Sequence, residues 1–98
     1  MKLGIELTSG FGSQDAHTVR KLREAALRQG HEVHLFVMDD GVFHLSRLTD
    51  LAEQGVNISV CAHNAYERGV AKIEGLLFGG QNDWAEVVHD ADRVIVFG

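Results

Sequence analysis

Leu3, Ile5 and Leu7 alternate with other residues across "MKLGIELTS", the period of two that predicts a strand. The loop "SGFGS" follows, with Ser13 placed to cap a helix. From Gln14 to Gln29, Ala16, Val19, Leu22 and Ala26 recur at helical spacing, while Arg20, Lys21, Arg23, Glu24 and Arg28 fall on the other face. Gly30 supplies the left-handed stop. "EVHLFVM" is almost continuously apolar, as in a strand covered on both faces of a parallel sheet. "DDGV" reads as a turn, and Leu45, Leu48, Leu51 and Ala52 predict a short second helix closed by Gly55.

A third strand, "VNISVC", sets Val56, Ile58 and Val60 on one face and leaves Cys61 at its carboxyl end. Asn64 is positioned to cap a single helical turn that reaches Arg68 and stops at Gly69. "VAKIEGLLFGGQN" reads as helical at first and loop-like by Gly79 and Gly80. Asp83 and Glu86 fit a capping box, Asp standing in for Ser or Thr, ahead of a last helix carrying Trp84, Val87 and Val88. "RVIVFG" is the final strand.

Strands alternating with helices predict a single α/β domain over residues 1–98. Its expected architecture is three-layer α/β/α and flavodoxin- or Rossmann-like, with a small parallel sheet of four or five strands. Ligands of such sheets collect beyond the carboxyl ends of the strands. That edge should gather residues 9–13, 39–43 and 61–64, together with Gly98.

Charge narrows the function. Nine Lys and Arg against fourteen Asp and Glu give a net charge of −5, which disfavours direct nucleic-acid binding because phosphate neutralisation supplies most of that affinity. No apolar run approaches the roughly 20 residues that cross a bilayer, and Glu6 interrupts any signal-peptide pattern at the start. A cytoplasmic protein without membrane contact is expected. A single cysteine can form neither an internal disulfide nor a cysteine-based zinc cage.

Cys61 therefore has two readings. A free cysteine commonly packs as a small apolar group. At a strand end before a helical turn, however, it meets unpaired backbone N–H groups and the positive end of a dipole, which favour the nucleophilic thiolate. Arg68 and His63 are the nearest candidates for added positive charge. His63 reads either as a solvated loop imidazole or as a base two residues from the thiol. "CAH" lacks the three protein ligands that zinc requires, and the two histidines of "HEVH", three apart on a strand, point to opposite faces. Asp39 and Asp40 could pair around magnesium, although a turn accounts for them without an ion. "SGFGS" has neither the full dinucleotide fingerprint nor a P-loop lysine. The basic face of the first helix reads as solvated, with an acidic partner as the alternative.

Taken in order, several stretches resemble the DsrE/DsrF-like sulfur-relay family, and in particular its TusD-type subunits. The carrying pattern is a Cys at a strand end, six residues, then Arg-Gly-Val, here "CAHNAYERGV". "GSQDA" in the first loop, "GHEV" before the second strand, "DGV" after it and "ADRVIVFG" at the end agree in order. The chain is shorter than the TusD type after "DGV" and before the last helix. The resemblance implies that Cys61 carries sulfur as a persulfide, taken from a donor protein and passed to an acceptor protein, with no metal and no organic cofactor. It implies that Arg68 helps hold the anion and that the N–H groups of Ala62–Ala65 orient it, with Ala62 and Asn64 among the partner-binding residues. Gly10, Gly12, Asp40 and Gly41 would share the partner-facing edge. His63 lies outside the family pattern. Family members form trimers or hexamers, alone or with sister subunits, so a homo-oligomer is expected here. The rival readings are a small-ligand or nucleotide-binding regulatory domain with an incidental cysteine, and a purely structural subunit.

Overall fold

The alternation read from the sequence places one set of apolar side chains on a common face of the sheet. In the computed structural model, which describes residues 1–10 and 13–98, Leu3, Ile5 and Leu7 of β1 (Lys2–Leu7) pair in parallel register with Val33, Leu35 and Val37 of β2 (Glu32–Val37). Leu35 and Val37 pair in turn with Ile58 and Val60 of β3 (Asn57–Cys61). These side chains form the main core, closed by Val19 and Ala26 of α1 (Asp15–Arg28), Leu51 of α2 (Thr49–Glu53) and Ala65 of α3 (Ala62–Glu67). β4 (Leu77–Gly79), α4 (Gln81–Asp90) and β5 (Arg93–Phe97) complete the chain.

The five-stranded sheet runs in the order β4-β3-β2-β1-β5, and every neighbouring pair is parallel. From β1 to β4 the chain steps outward in one direction, and it then returns across the sheet to lie beside β1. Crossovers between parallel strands are right-handed, so the single reversal sends α4 to the face opposite the other helices. Trp84 of α4 accordingly belongs to a second, smaller cluster with Phe36 and Cys61. The two outer layers are unequal. The ten residues of α4 span roughly 15 Å, less than the roughly 19 Å width of five strands. Val94, Val96 and Leu77 are left 40%, 59% and 55% exposed. Among the described residues no helix is long and apolar enough to cross a membrane.

Several local expectations are revised. The segment after β2 opens as a 3-10 run over Asp39–Arg47 before α2 begins, so "DDGV" is the start of a tight helix, with Asp39 at φ 48°. Val70–Leu76 contains no helix. α4 begins at Gln81, with Gly80 at its cap, and Asp83 is the third helical residue, whose carboxylate accepts the Gly80 N–H at 2.8 Å. Ser13 does serve the start of α1, its hydroxyl accepting the Asp15 N–H at 2.9 Å. Gly30 and Gly55 take the expected left-handed conformation, at φ 77° and 94°.

The basic face of α1 is not simply solvated. Arg20 donates to both carboxylate oxygens of Asp50, at 2.6 and 2.7 Å, and also to the Arg47 carbonyl. This pairing raises the Arg20 pKa and lowers that of Asp50. Arg23 is buried and donates to the Gln54 carbonyl at 3.1 Å. Both arginines fasten α1 to the segment around α2.

Candidate functional site at the carboxyl edge of the sheet

The residues that β3 hands to α3 centre on Cys61. Cys61 is the N-cap residue of α3, in extended geometry (φ −70°, ψ 105°), and its side chain makes no capping hydrogen bond. Asn64, expected to be the cap, is the third residue of a six-residue helix. Its amide oxygen accepts the Asp39 N–H at 2.8 Å, tying α3 to the entrance of the 3-10 run. Ala62 is half-buried beside the thiol-bearing residue.

Strand parity decides which way the thiol points. Val60 faces the main core, and Cys61, one residue on, faces α4. There it joins Phe36 and Trp84, whose rings stack with centroids 5.5 Å apart and planes at 17°. Met38 and Val87 pack against this cluster, leaving Cys61 only 7% exposed. Phe36, Met38 and Trp84 were not among the candidate site residues. Phe36 and Cys61 both fall on α4-facing positions of their strands, but that parity becomes a contact only once β2 and β3 are known to be neighbours.

The other candidates gather on the same edge. Arg68 Nε donates to Asp40 Oδ1 at 2.8 Å, and Arg68 Nη1 reaches the Asn64 carbonyl at 3.4 Å. The hydrogen bond to Asp40, with Asp39 and Glu67 nearby, raises the Arg68 pKa. Arg68 is thus held by the carboxylate of the 3-10 entrance, and Asp40 serves an ion pair within the protein. His63 is exposed and lies 3.5 Å from Glu67 one turn away. Gly10 abuts Asp40, since a methyl at position 10 would sit 2.7 Å from Asp40 Cβ. Gly41 is buried beneath the carboxyl end of β1. Gly98 lies against Thr8 at the same edge. Gly12 falls outside the described residues.

The two "HEVH" histidines are apart, with His34 in β2 and His31 just before the strand begins. His34 Nε2 lies 2.8 Å from Ser59 Oγ, and His31 pairs with Gln29. Burial lowers the His34 pKa, with Asp83 opposing in part. His34 and Ser59 help line a cavity of about 280 Å³ along one flank of α4.

The family model described as DsrE/DsrF-like matches residues 1–97. The chain belongs to the DsrE/DsrF-like family. Among its relatives, an uncharacterised protein of Methanopyrus kandleri is 29% identical over 103 residues, covering 89% of this chain and 85% of that one. An uncharacterised protein of Methanocaldococcus jannaschii is 25% identical over 114 residues, covering 99% and 100%. The crystal structure of the ychN protein of Escherichia coli superposes with a TM-score of 0.80 at 21% identity, covering 98% and 97% of the two chains. That likeness shows that the two proteins share a fold. Within this DsrE/DsrF-like chain, segments that follow β1, β2 and β3 meet at the carboxyl edge of the sheet, Gly10 against Asp40 and Asp39 against Asn64.

Proposed function

We propose that this DsrE/DsrF-like protein is a cytoplasmic sulfur carrier that accepts sulfur as a persulfide on Cys61 and passes it to an acceptor protein. The observation that carries this reading is the position of the chain's one cysteine, where β3 ends and α3 begins. Free backbone N–H groups in the first turn of a helix favour an anion nearby. The step is a sulfane transfer. The Cys61 thiolate attacks the outer sulfur of a donor persulfide, the donor's S–S bond breaks, and the donor departs as a thiolate. Cys61 is left as the persulfide, and an acceptor thiolate reverses the step. No net electrons move, and neither a metal nor an organic cofactor takes part.

Arg68, fixed by Asp40, supplies positive charge at this edge. Ala62 and Asn64 supply the N–H groups around the anion. His63, on the solvent side of α3, meets the visiting protein, and Gly10 and the Asp40–Gly41 turn frame the same approach. The assembly in this reading is a homo-oligomer.

Incubation with a persulfide donor, followed by intact-mass measurement, tests the proposal. The protein should gain one sulfur atom that a reducing thiol removes, and Cys61→Ser should gain none. A wild-type protein that takes up no sulfur, or a Cys61→Ser variant that takes up as much, overturns it.

A further inference from the structure

The side chain proposed to exchange sulfur with other proteins is 7% exposed, and α4 is the helix on its face of the sheet, contributing Trp84 and Val87 to the cluster that also holds Phe36 and Met38. We propose that α4 is a lid over Cys61, latched by Trp84, and that it must lift for sulfur to enter or leave. This rests on the persulfide reading of Cys61 and adds how access to it is controlled.

Four observations support the lid. α4 holds on by little, since Trp84 is the only buried residue among its ten. The latch is specific: the Trp84 ring stacks on Phe36 and reaches across the sheet to β1, where a Cβ added at Gly4 would lie 3.4 Å from its ring edge and 3.2 Å from Val87. Gly4 is the notch that seats it. The helix is also undercut, because the cavity of about 280 Å³ runs beside it between His34, Ser59, Leu77, Asp83, Val87 and Ala91, leaving one flank without packed neighbours. Finally, its ends are tied to the two edge strands. Gly80 alone separates it from the three-residue β4, and Ala91 and Asp92 lead into β5, whose Val94 and Val96 are exposed. Elements with few buried apolar contacts open locally at free energies far below that of global unfolding. The main core sits on the opposite face, so α4 can lift without disturbing it.

The chain has one cysteine and one tryptophan, so thiol modification reads the opening and Trp84 fluorescence reads the latch. The experiment measures the rate of Cys61 alkylation by iodoacetamide, by intact mass, on the full chain at urea concentrations below its unfolding transition. The wild-type rate should be slow and nearly independent of urea, as for a local opening. Trp84→Ala should react at least about tenfold faster, and Trp84→Phe should fall between. Gly4→Val fills the notch from the sheet side, pressing on Trp84 and Val87 while leaving the sequence of the helix unchanged, and should accelerate alkylation as well. In the wild type, Trp84 emission should shift as Cys61 is alkylated.

A wild-type rate that climbs with the full urea dependence of unfolding overturns the lid. So do Trp84→Phe and Gly4→Val rates within twofold of wild type, a comparison that stands even if Trp84→Ala does not fold. The two proposals fail separately. Gated alkylation without sulfur uptake from a persulfide donor retains the lid and removes the carrier, whereas equal sulfur-loading rates in wild type and Trp84→Phe remove the lid and retain the carrier.

Discussion

Gly41 tests whether the carboxyl edge is a packed structure or an open surface. A methyl at this position would be driven into the Leu7 carbonyl, 2.9 Å from its carbon and closer still to its oxygen, and 3.3 Å from Val37 Cγ1. The obstacle is backbone, so no side-chain rotation relieves it. Gly41→Ala must instead push the 3-10 run away from the end of β1. That movement strains the Met38 N–H bond to the Leu7 carbonyl, at 3.1 Å, and the Gly41 N–H bond to the Met38 carbonyl, at 3.0 Å. It also disturbs Val42 and Leu45, both 1% exposed. Overpacking costs about 1–3 kcal/mol, and leaving one buried backbone group unpaired costs about 1–3 kcal/mol more. A total of about 2–6 kcal/mol follows, a large share of the roughly 5–15 kcal/mol that holds a domain folded. In urea unfolding, with a slope of about 1.5 kcal/mol/M, the midpoint should fall by about 1.3 M or more. Gly55→Ala is the control, since nothing lies within 4 Å of the added Cβ and only its φ of 94° is strained. That strain should cost about 1 kcal/mol. A Gly41→Ala protein within about 1 kcal/mol of wild type would show that the 3-10 run yields freely, and the packing argument for this edge would fail.

Two further outcomes concern histidines. Burial lowers the His34 pKa, so the folded state resists a proton that the unfolded chain takes up near pH 6.5; between the folded value and 6.5 the unfolded state binds more protons, and stability falls as pH drops through that window. His34→Gln should flatten the loss in Tm between pH 7.5 and the folded pKa, and an unchanged slope would count against the assignment. His44 is fully buried, and neither ring nitrogen has a hydrogen-bond partner among the described residues. His44→Leu, by removing unpaired polar atoms from the core, should stabilise the protein by about 1–2 kcal/mol in urea unfolding, and a loss of stability would show that the ring is held by a partner.

The sequence made strands and helices legible wherever period and packing agree. Val56, Ile58 and Val60 were placed on one face by parity alone, and they do face the main core together. Less was legible where tertiary contacts override local preference. Arg20 and Arg23 sit on what reads as the polar face of α1, yet Asp50 and the Gln54 carbonyl, about thirty residues away in the chain, take them up. Asn64 has the chemistry of a cap, but its side chain is drawn to the Asp39 N–H of another segment. Phe36 and Trp84 carried no mark of the site, because only the strand order brings them to Cys61. The edge that gathers Gly10, Asp40 and Asn64 follows from strand direction, whereas the ion pair that brings Arg68 to it depends on the 3-10 entrance, which no periodicity announces.

The placement of the thiol follows from two independent rules of chain geometry. Right-handed crossovers gather α1, α2 and α3 on one face while the chain steps outward, and the one reversal leaves α4 alone on the other. Period-two alternation then decides which face receives the last side chain of β3. Had the strand ended one residue earlier, at Val60, the terminal side chain would lie in the crowded core, where Val60 is fully buried under several elements. Ending at Cys61 assigns the sulfur to the sheet face covered by one short helix. A side chain at that position is covered on this face by a helix with one buried residue, and the connection that makes this helix solitary also ties it to the two edge strands.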